Sequence, residues 1–346
     1  PMIMVGFGGI FVEMFEDISV RMCPITKMDA EEMLDELRGA RIIDGIRGEG
    51  PINRAALIDI MLRLGGVNGL LENNIDCIKE VDINPVIVSG KGAFAVDANF
   101  ILSEITNKKT VPSYSPALQL APLDLFKPLF EPETIAIVGA SMKGRTIANT
   151  FIRRLVDFGY SGNIYPIHPK ATKIEGFIAY PDLASTPKIV DYAYLAIGAA
   201  AIPDILGNSC GRVRFAQVIS SGFAEVAQGT EVQSELIKKA HSAGVRILGP
   251  NCLGTYSPRG GLTFPEAAPQ ELGNIGVIAQ SGGLSTDIIK RGQWRGLRFS
   301  GLVTIGNSAD ITPTELLEYY FADPQTKAIG LYLEDVKDGK VFANTL

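Results

Sequence analysis

A chain of 346 residues is long enough for two or three domains, and 46% apolar content supplies real cores. Its 32 Lys and Arg against 38 acids give a net charge of −6 with no basic block, which argues against a nucleic-acid partner. Cys23, Cys77, Cys210 and Cys252 lack CxxC spacing and fit a reducing cytoplasm; apolar stretches such as 192–201 fall far short of the roughly 20 residues of a membrane helix, and no basic segment opens a signal peptide.

The opening Pro1-Met2-Ile3-Met4-Val5-Gly6 reads as the middle of a strand, so the natural start is expected upstream. The first block, residues 1–102, begins with a strand over 3–5, a glycine turn and a strand over 10–15. Helical periodicity follows over 30–37 and 54–64, with Asp29 expected as an N-cap. A strand over 81–88, the turn Ser89-Gly90-Lys91-Gly92 and a strand over 93–97 predict a hairpin. From 103 to 132 periodicity stops and Pro112, Pro116, Pro122, Pro128 and Pro132 appear, the signature of an inter-domain linker.

Residues 133–265 alternate strands (135–138, 163–167, 192–197, 216–220, 245–248) with helices (146–158, 231–243), as in parallel βαβ units of a doubly wound α/β sheet. Residues 266–346 begin another such unit, with strands over 276–279, 302–305 and 328–333 and a helix from Leu284. The sequence stops at what reads as the start of a further helix, so this last domain is expected to be incomplete.

Within the second block, an apolar strand breaks into Gly139-Ala140-Ser141-Met142-Lys143-Gly144 and then a helix. Such a turn sets backbone N–H groups and a helix N-terminus where a phosphate can sit. A P-loop needs Lys just before the Ser/Thr, and Arg145 stands there before Thr146. A NAD site wants an acid at the end of the next strand for the ribose hydroxyls. That strand ends in Tyr165-Pro166-Ile167-His168-Pro169-Lys170, and Lys170 suits a nucleotide bearing a ribose phosphate, as coenzyme A does. The alternative is a tight turn that binds nothing.

Ser281-Gly282-Gly283 again lies where a strand feeds a helix, a natural anion cradle. Glu334 ends a strand of the same sheet, where open α/β sheets bind ligands; the alternative is a solvated charge beside Asp335 and Lys337. In the first block, Glu80-Val81-Asp82-Ile83-Asn84-Pro85 and Val96-Asp97 put Asn84 and Asp97 on adjoining strands. Oxygen ligands together with substrate phosphates suit Mg²⁺; turn chemistry is the alternative. Cys23, Cys77 and Cys210 read as small buried hydrophobes, and His241, on the polar stretch 235–242, as a solvated helix face.

Five strings in register then carry a resemblance. Gly139-Ala140-Ser141, the string from Tyr165 to Lys170, Ser220-Ser221-Gly222-Phe223-Ala224-Glu225, Gly249-Pro250-Asn251-Cys252-Leu253-Gly254 and Gln280-Ser281-Gly282-Gly283 resemble the NDP-forming acyl-CoA synthetases, which include succinyl-CoA synthetase and the ADP-forming acetyl-CoA synthetases. The resemblance spans nearly the whole chain outside the linker. His168 departs from it, since the acetate-type members usually carry Asn there. The resemblance implies a Rossmann-like CoA-binding domain over 133–265 and a flavodoxin-like ligase domain over 266–346. Before them, Gly6-Phe7-Gly8-Gly9-Ile10-Phe11-Val12-Glu13 and the Asp82–Asp97 region are similar to the C-terminal part of an ATP-grasp domain, over 1–102.

On that resemblance Gly139, Ala140, Ser141, Gly144, Lys170, Ile197, Gly198, Ser221, Gly222, Asn251 and Cys252 surround CoA. Ser281, Gly282 and Gly283 would hold the phosphate carried on a histidine, and Glu334 would contact that histidine. Asn84 and Asp97 are the implied Mg²⁺ ligands, with Asp82 near the nucleotide. The implied reaction is carboxylate + CoA + ATP ⇌ acyl-CoA + ADP + phosphate, with Thr255 to Phe264 among the expected walls of the carboxylate pocket. Neither His168 nor His241 stands in the Ser-His-Thr-Gly context of the phosphate carrier, which is expected beyond residue 346. That lack motivates an alternative, a CoA-sensing module such as lysine acetyltransferases carry. A cytoplasmic homo-oligomer without membrane or nucleic-acid partners is expected.

Overall fold

The computed structural model describes residues 1–8, 17–43, 45, 50–75, 77–102, 121–337 and 339–346. It divides into two compact units, Pro1–Ser113 and Tyr114–Leu346. The strand expected over 10–15 and the prolines Pro112 and Pro116 lie outside the described residues.

In the first unit β1 (Met2–Gly6) pairs antiparallel with β2 (Ile18–Met22). Helices α1 (Lys27–Asp35) and α2 (Arg54–Gly65) follow, then a single turn, α3 (Leu70–Asn73). Asp29 is not the N-cap of α1. Thr26 is, with its hydroxyl accepting the Asp29 N–H at 3.2 Å while the Asp29 carboxylate accepts the Thr26 N–H at 2.6 Å, a capping box. Ile3, Ile25, Met33, Leu34, Ile58 and Met61 form this unit's core. Next come β3 (Ile78–Asp82), β4 (Val86–Ser89), β5 (Gly92–Ala95) and β6 (Asn99–Leu102), with β3 antiparallel to β6 and β4 antiparallel to β5. The expected hairpin is present, but the single strand expected over 81–88 is two strands. Pro85 has no N–H with which to continue a ladder; its carbonyl instead accepts the Val96 N–H at 3.0 Å.

The second unit opens with a correction. Part of the stretch read as linker is a helix, α4 (Pro122–Phe130), with Phe126, Leu129 and Phe130 buried. Pro122 sits in the first turn, where a missing N–H costs little. The i, i+3, i+4 spacing of the three apolar residues supplies the buried face, and Phe130 stacks on Tyr319 with ring centroids 4.1 Å apart.

Strand β7 (Thr134–Val138) leads through a turn into α5 (Ile147–Asp157), then β8 (Asn163–Ile167) and the two-residue strands β9 (Lys173–Ile174) and β10 (Phe177–Ile178). β11 (Val190–Leu195), α6 (Ile202–Gly207), β12 (Val213–Val218), α7 (Thr230–Ser242) and β13 (Arg246–Leu248) complete a five-stranded parallel sheet ordered β13-β12-β11-β7-β8. Its strands read as near-continuous apolar runs because helices cover both faces. β14 (Thr255–Tyr256), β15 (Ile275–Ala279), α8 (Gly282–Trp294), β16 (Phe299–Thr304), α9 (Pro313–Ala322), β17 (Ala328–Tyr332) and α10 (Gly339–Thr345) follow. Here the order is β14-β16-β15-β17, with only β14 antiparallel.

In both sheets the first strand of the parallel set is central and the chain then switches sides. The switch points lie between β7 and β11 and between β15 and β17, where crevices open at the carboxyl ends of the strands. Phe126, Phe130, Ile278, Val303, Leu316 and Tyr320 share one apolar core with Ile137, Phe151 and Phe215, so the two sheets are packed into one body.

Candidate functional site

The rim begins where β7 ends. Gly139 has φ +104, and a Cβ there would lie 2.3 Å from the carbonyl oxygen of Ala196, just past the end of β11. No other residue fits this crossing of the switch point. The turn that follows is organised by Asn149, a fully buried amide on the first turn of α5. Its Oδ1 accepts the Ser141 N–H (2.9 Å) and the Thr146 hydroxyl (2.7 Å). Its Nδ2 donates to the Ser141 carbonyl (2.9 Å) and the Glu175 carboxylate (2.9 Å). Glu175 in turn pairs with Arg153 at 2.7 Å, and Arg153 donates to the Gly144 carbonyl at 3.1 Å. The Ser141 N–H is therefore committed within the protein, while the Ser141 side chain is half-exposed and Ala140 is buried. Sequence reasoning passed over Asn149; its signal is a polar residue three positions after the N-cap Thr146, on an otherwise apolar helix face.

The carboxyl ends of the next strands are stitched to this turn in order. The Ser220 hydroxyl donates to the Ile197 carbonyl, and the Asn251 N–H donates to the Ser220 carbonyl at 3.2 Å. Gly222 packs its α-carbon toward Ala199, where a Cβ would stand 3.5 Å from that of Ala199. Gly139, Ile197, Gly198, Ser221, Gly222 and Asn251 thus share one edge. Lys170 is exposed beyond the end of β8, the neighbouring strand.

Cys252 belongs to the same string but turns inward. It is 4% exposed, its thiol lies 3.5 Å from the Leu248 carbonyl oxygen, and burial pushes that thiol up to about 12. It is a packed thiol, with no face toward the crevice. Cys23 is buried as expected, whereas Cys77 and Cys210 are exposed; all four are free thiols.

The second turn meets the Gly249–Gly254 string. Ser281 caps α8, accepting the Leu284 N–H at 3.3 Å. A Cβ at Gly282 would lie 2.8 Å from Leu253 Cγ, in the Gly249–Gly254 string, while at Gly283 nothing lies within 4 Å. The Gln280 amide oxygen accepts the N–H groups of Glu334 and of Asp335 (2.8 Å), so the side chain before the turn fixes the loop after β17. Gly306, after β16, crosses the Asn251 backbone so closely that a Cβ would stand 2.2 Å from the Pro250 carbonyl oxygen. Ser281 and Asn251 therefore open onto one continuous rim.

Two further groups, missed in the sequence, hold that rim. Asn307 donates its amide to the Glu225 carboxylate and to Gln233 (3.0 Å), and Glu225 accepts the N–H groups of Gly222 and Phe223. Burial would raise the Glu225 carboxyl, but these bonds hold it below its ordinary value. Asp310 is buried and accepts from Arg246 (3.1 Å) and the Ile247 N–H (2.7 Å), and Arg246 also reaches Glu315 at 2.9 Å. His241 is not a solvated residue; its Nε2 lies 3.2 Å from Asp310 Oδ1. Burial works against the Asp310 charge, and His241, Arg246 and the Ile247 N–H together keep its carboxyl below the ordinary value.

Thr255 to Phe264, expected among the walls of a carboxylate pocket, is mostly buried in β14 and its flank, with Tyr256 and Phe264 in the core around Phe299. One residue of that segment, Thr263, lines a cavity of about 320 Å³ between Arg154, Asp157 and Phe158 and the loop up to Gln270, at the opposite end of α5 from the Gly139 turn.

In the first unit, Asp82 ends β3 opposite Asn99, and the Asn84 amide oxygen faces Gly8, lying 4.0 Å from where its Cβ would be. Asp97 accepts the Ala98 N–H at 2.9 Å. Gly9 to Glu13 of the glycine string lie outside the described residues. Among the described residues no set of three or more His, Cys, Asp or Glu is placed to hold a metal; Asp82, Asn84 and Asp97 are exposed oxygen donors of the kind Mg²⁺ takes alongside its waters. No helix among the described residues is long and apolar enough to cross a membrane.

Comparison with known proteins matches three domains along the chain. Residues 1–102 match the ATP-grasp domain, 133–258 the CoA binding domain and 272–346 the succinyl-CoA ligase like flavodoxin domain. The acetate–CoA ligase [ADP-forming] II of Archaeoglobus fulgidus is 34% identical over 98% of this chain and 49% of its own length. The acetate–CoA ligase [ADP-forming] I of the same organism is 36% identical over 62% of this chain and 31% of its own length. This chain thus spans about half of the first relative and about a third of the second. Among solved structures, the dinucleotide forming acetyl-coenzyme A synthetase 1 of Ca. Korarchaeum cryptofilum, in complex with phosphate and ADP, matches with a TM-score of 0.59 at 35% identity, over 64% of this chain and 48% of that one. The regulatory alternative gains no support from these relatives. With three matched domains in the order ATP-grasp, CoA-binding, ligase, the chain belongs to the NDP-forming acyl-CoA synthetase family.

Proposed function

We propose that this chain supplies the CoA site and the phosphate cradle of an ADP-forming acyl-CoA synthetase, which joins a small carboxylate to CoA as ATP becomes ADP and phosphate. The observation that carries the reading is the contact of the Gly249–Gly254 string, at the carboxyl end of β13, with the second sheet's loops, through Leu253 against Gly282 and Asn251 against Gly306. One rim can then serve both the CoA thioester and a transferred phosphoryl group. On this reading 1–102 is ATP-grasp in kind, 133–265 binds CoA and 266–346 is the ligase part, working as a cytoplasmic homo-oligomer.

Gly139, Ala140, Ser141, Gly144, Ile197, Gly198, Ser221, Gly222, Asn251 and Cys252 shape the CoA edge, the buried ones through packing and backbone. Lys170 supplies charge for the phosphate groups of CoA. The N–H groups of Gly282 and Gly283 at the start of α8, capped by Ser281, face developing phosphoryl charge, as phosphoryl transfer requires. Glu334 orients the phosphate-carrying histidine. His168 and His241 are each engaged elsewhere in the fold, so that histidine would come from residues beyond 1–346. Asn84 and Asp97 would hold Mg²⁺, which offsets phosphate charge when bound, with Asp82 beside the nucleotide.

Two measurements test the reading. Supplying acyl-CoA and phosphate to the full-length protein should yield an acid-labile, base-stable phosphoprotein; its absence counts against the ligase. By calorimetry, Lys170→Glu should weaken CoA binding by about tenfold or more, the loss of an ion pair replaced by repulsion. Unchanged affinity would remove Lys170 from the site.

A further inference from the structure

His168 closes β8, and its imidazole Nδ1 accepts two backbone hydrogen bonds, from the N–H of Lys170 at 3.1 Å and of Ala171 at 3.0 Å. An acceptor that reaches the N–H groups two and three residues on is how Asn and Asp side chains build their turns. Here a ring nitrogen takes the place of the amide oxygen. The His168 N–H donates to the Tyr180 carbonyl at 2.8 Å, so the residue is tied on its other side to the bridge between Ile167 and Tyr180. An Nδ1 placed to accept N–H donors presents its lone pair to the turn.

We infer that His168 is a positioning residue for CoA: its Nδ1 holds the turn that presents Lys170 at the carboxyl end of β8. The inference rests on the reading of this rim as the CoA site. Its signature is rescue: a side chain that keeps a turn acceptor can stand in for it, and a methyl cannot. The titratable and charged groups on the elements around it are Tyr165, Lys170, Lys173, Glu175, Tyr180 and Asp182; β7 contributes none. Glu175 is engaged by Arg153 and Asn149, and Asp182 by Ser185.

CoA affinity of the full-length protein, measured by calorimetry at pH 8 for the wild type, His168→Asn and His168→Ala, tests this. Asn keeps a turn acceptor, so His168→Asn should bind within about twofold of wild type. His168→Ala should bind about fivefold to tenfold more weakly. Wild-type affinity in a folded His168→Ala overturns the inference, and so does a His168→Asn that binds as weakly as His168→Ala; where the Ala variant is unstable, His168→Leu, of similar size and without an acceptor, takes its place. A wild type that binds no CoA overturns the CoA reading itself, which separates the two failures.

Discussion

Two strand-to-helix turns occupy equivalent places in the two sheets of the second unit, yet they are built in opposite ways. Between β7 and α5 the chain makes a long turn, 139–146, whose interior is filled by the Asn149 amide and braced by Glu175 and Arg153. Between β15 and α8 only Gln280 and Ser281 intervene, and Gly283 faces space with nothing within 4 Å of a Cβ. A loop that must recognise one shape of nucleotide gains from being ordered before the ligand arrives, since less entropy is lost on binding. A bare helix end made of small residues suits a phosphoryl group that arrives and leaves, because its N–H groups and space stay available. On the proposed reading, preorganisation sits on the CoA side, and access on the phosphate side.

Glycine-to-alanine changes on the two sides should break this comparison most sharply. Gly139→Ala combines φ +104 with a Cβ 2.3 Å from the Ala196 carbonyl oxygen, so it should cost about 3–4 kcal/mol in denaturant unfolding. Gly283→Ala meets nothing, so its stability should stay within about 0.5 kcal/mol of wild type. Its methyl would nonetheless occupy the space for the phosphoryl group, and phosphorylation of the full-length protein should slow by about tenfold to a hundredfold. Equal stability costs at the two positions would sink the contrast.

A second contact between the two sheets is Asp310, in the ligase half, which clamps Arg246, in the CoA half. Asp310→Asn removes the charge from a buried carboxylate that Arg246 and the Ile247 N–H share, leaving Arg246 its pair with Glu315, so it should lower stability by about 2 kcal/mol at pH 7. The pH dependence has a definite sign. Asp310 titrates lower in the folded state, so its stabilisation is present above the unfolded carboxylate value of about 4 and is lost as pH falls through the folded one. The gap between wild type and Asp310→Asn should therefore narrow on acidification below about pH 4. A gap that widens there would refute the clamp.

Much of the fold was legible in the sequence because apolar runs such as Ile135 to Val138 are buried on both faces and bounded by turn glycines. What stayed hidden has physical causes. Helix α4 was obscured by Pro122 and Pro128, which read as spacer chemistry although Phe126, Leu129 and Phe130 keep helical spacing. The break at Pro85 divided a strand whose apolar pattern runs on through it. Cys77 and Cys210 are exposed although their chemistry favours burial. At the site, the glycines and Ser281 were visible as local turn signals, whereas Glu225 and Asn307 meet across 82 positions of sequence, so no window contains their partnership. His241 looked solvated by its helix neighbours, and only the approach of Asp310 from another element changes that.

The smallest effect sharpens the comparison furthest. Asn149→Ala removes one amide and leaves the Ser141 N–H and carbonyl without their buried partner, which should cost about 2 kcal/mol. Gln280→Ala removes the corresponding side chain of the other turn, whose partners are the exposed N–H groups of Glu334 and Asp335. Water can satisfy those donors, so the cost should stay below about 1 kcal/mol. The functional consequences should separate in the same direction. Asn149→Ala should raise the KM for CoA and leave kcat nearly unchanged, because it loosens a binding loop. Gln280→Ala should lower kcat with little change in KM, because it releases Glu334 from the phosphate side. The reverse pattern would mean that the long turn serves the chemical step and the short one serves recognition, opposite to the division their packing indicates.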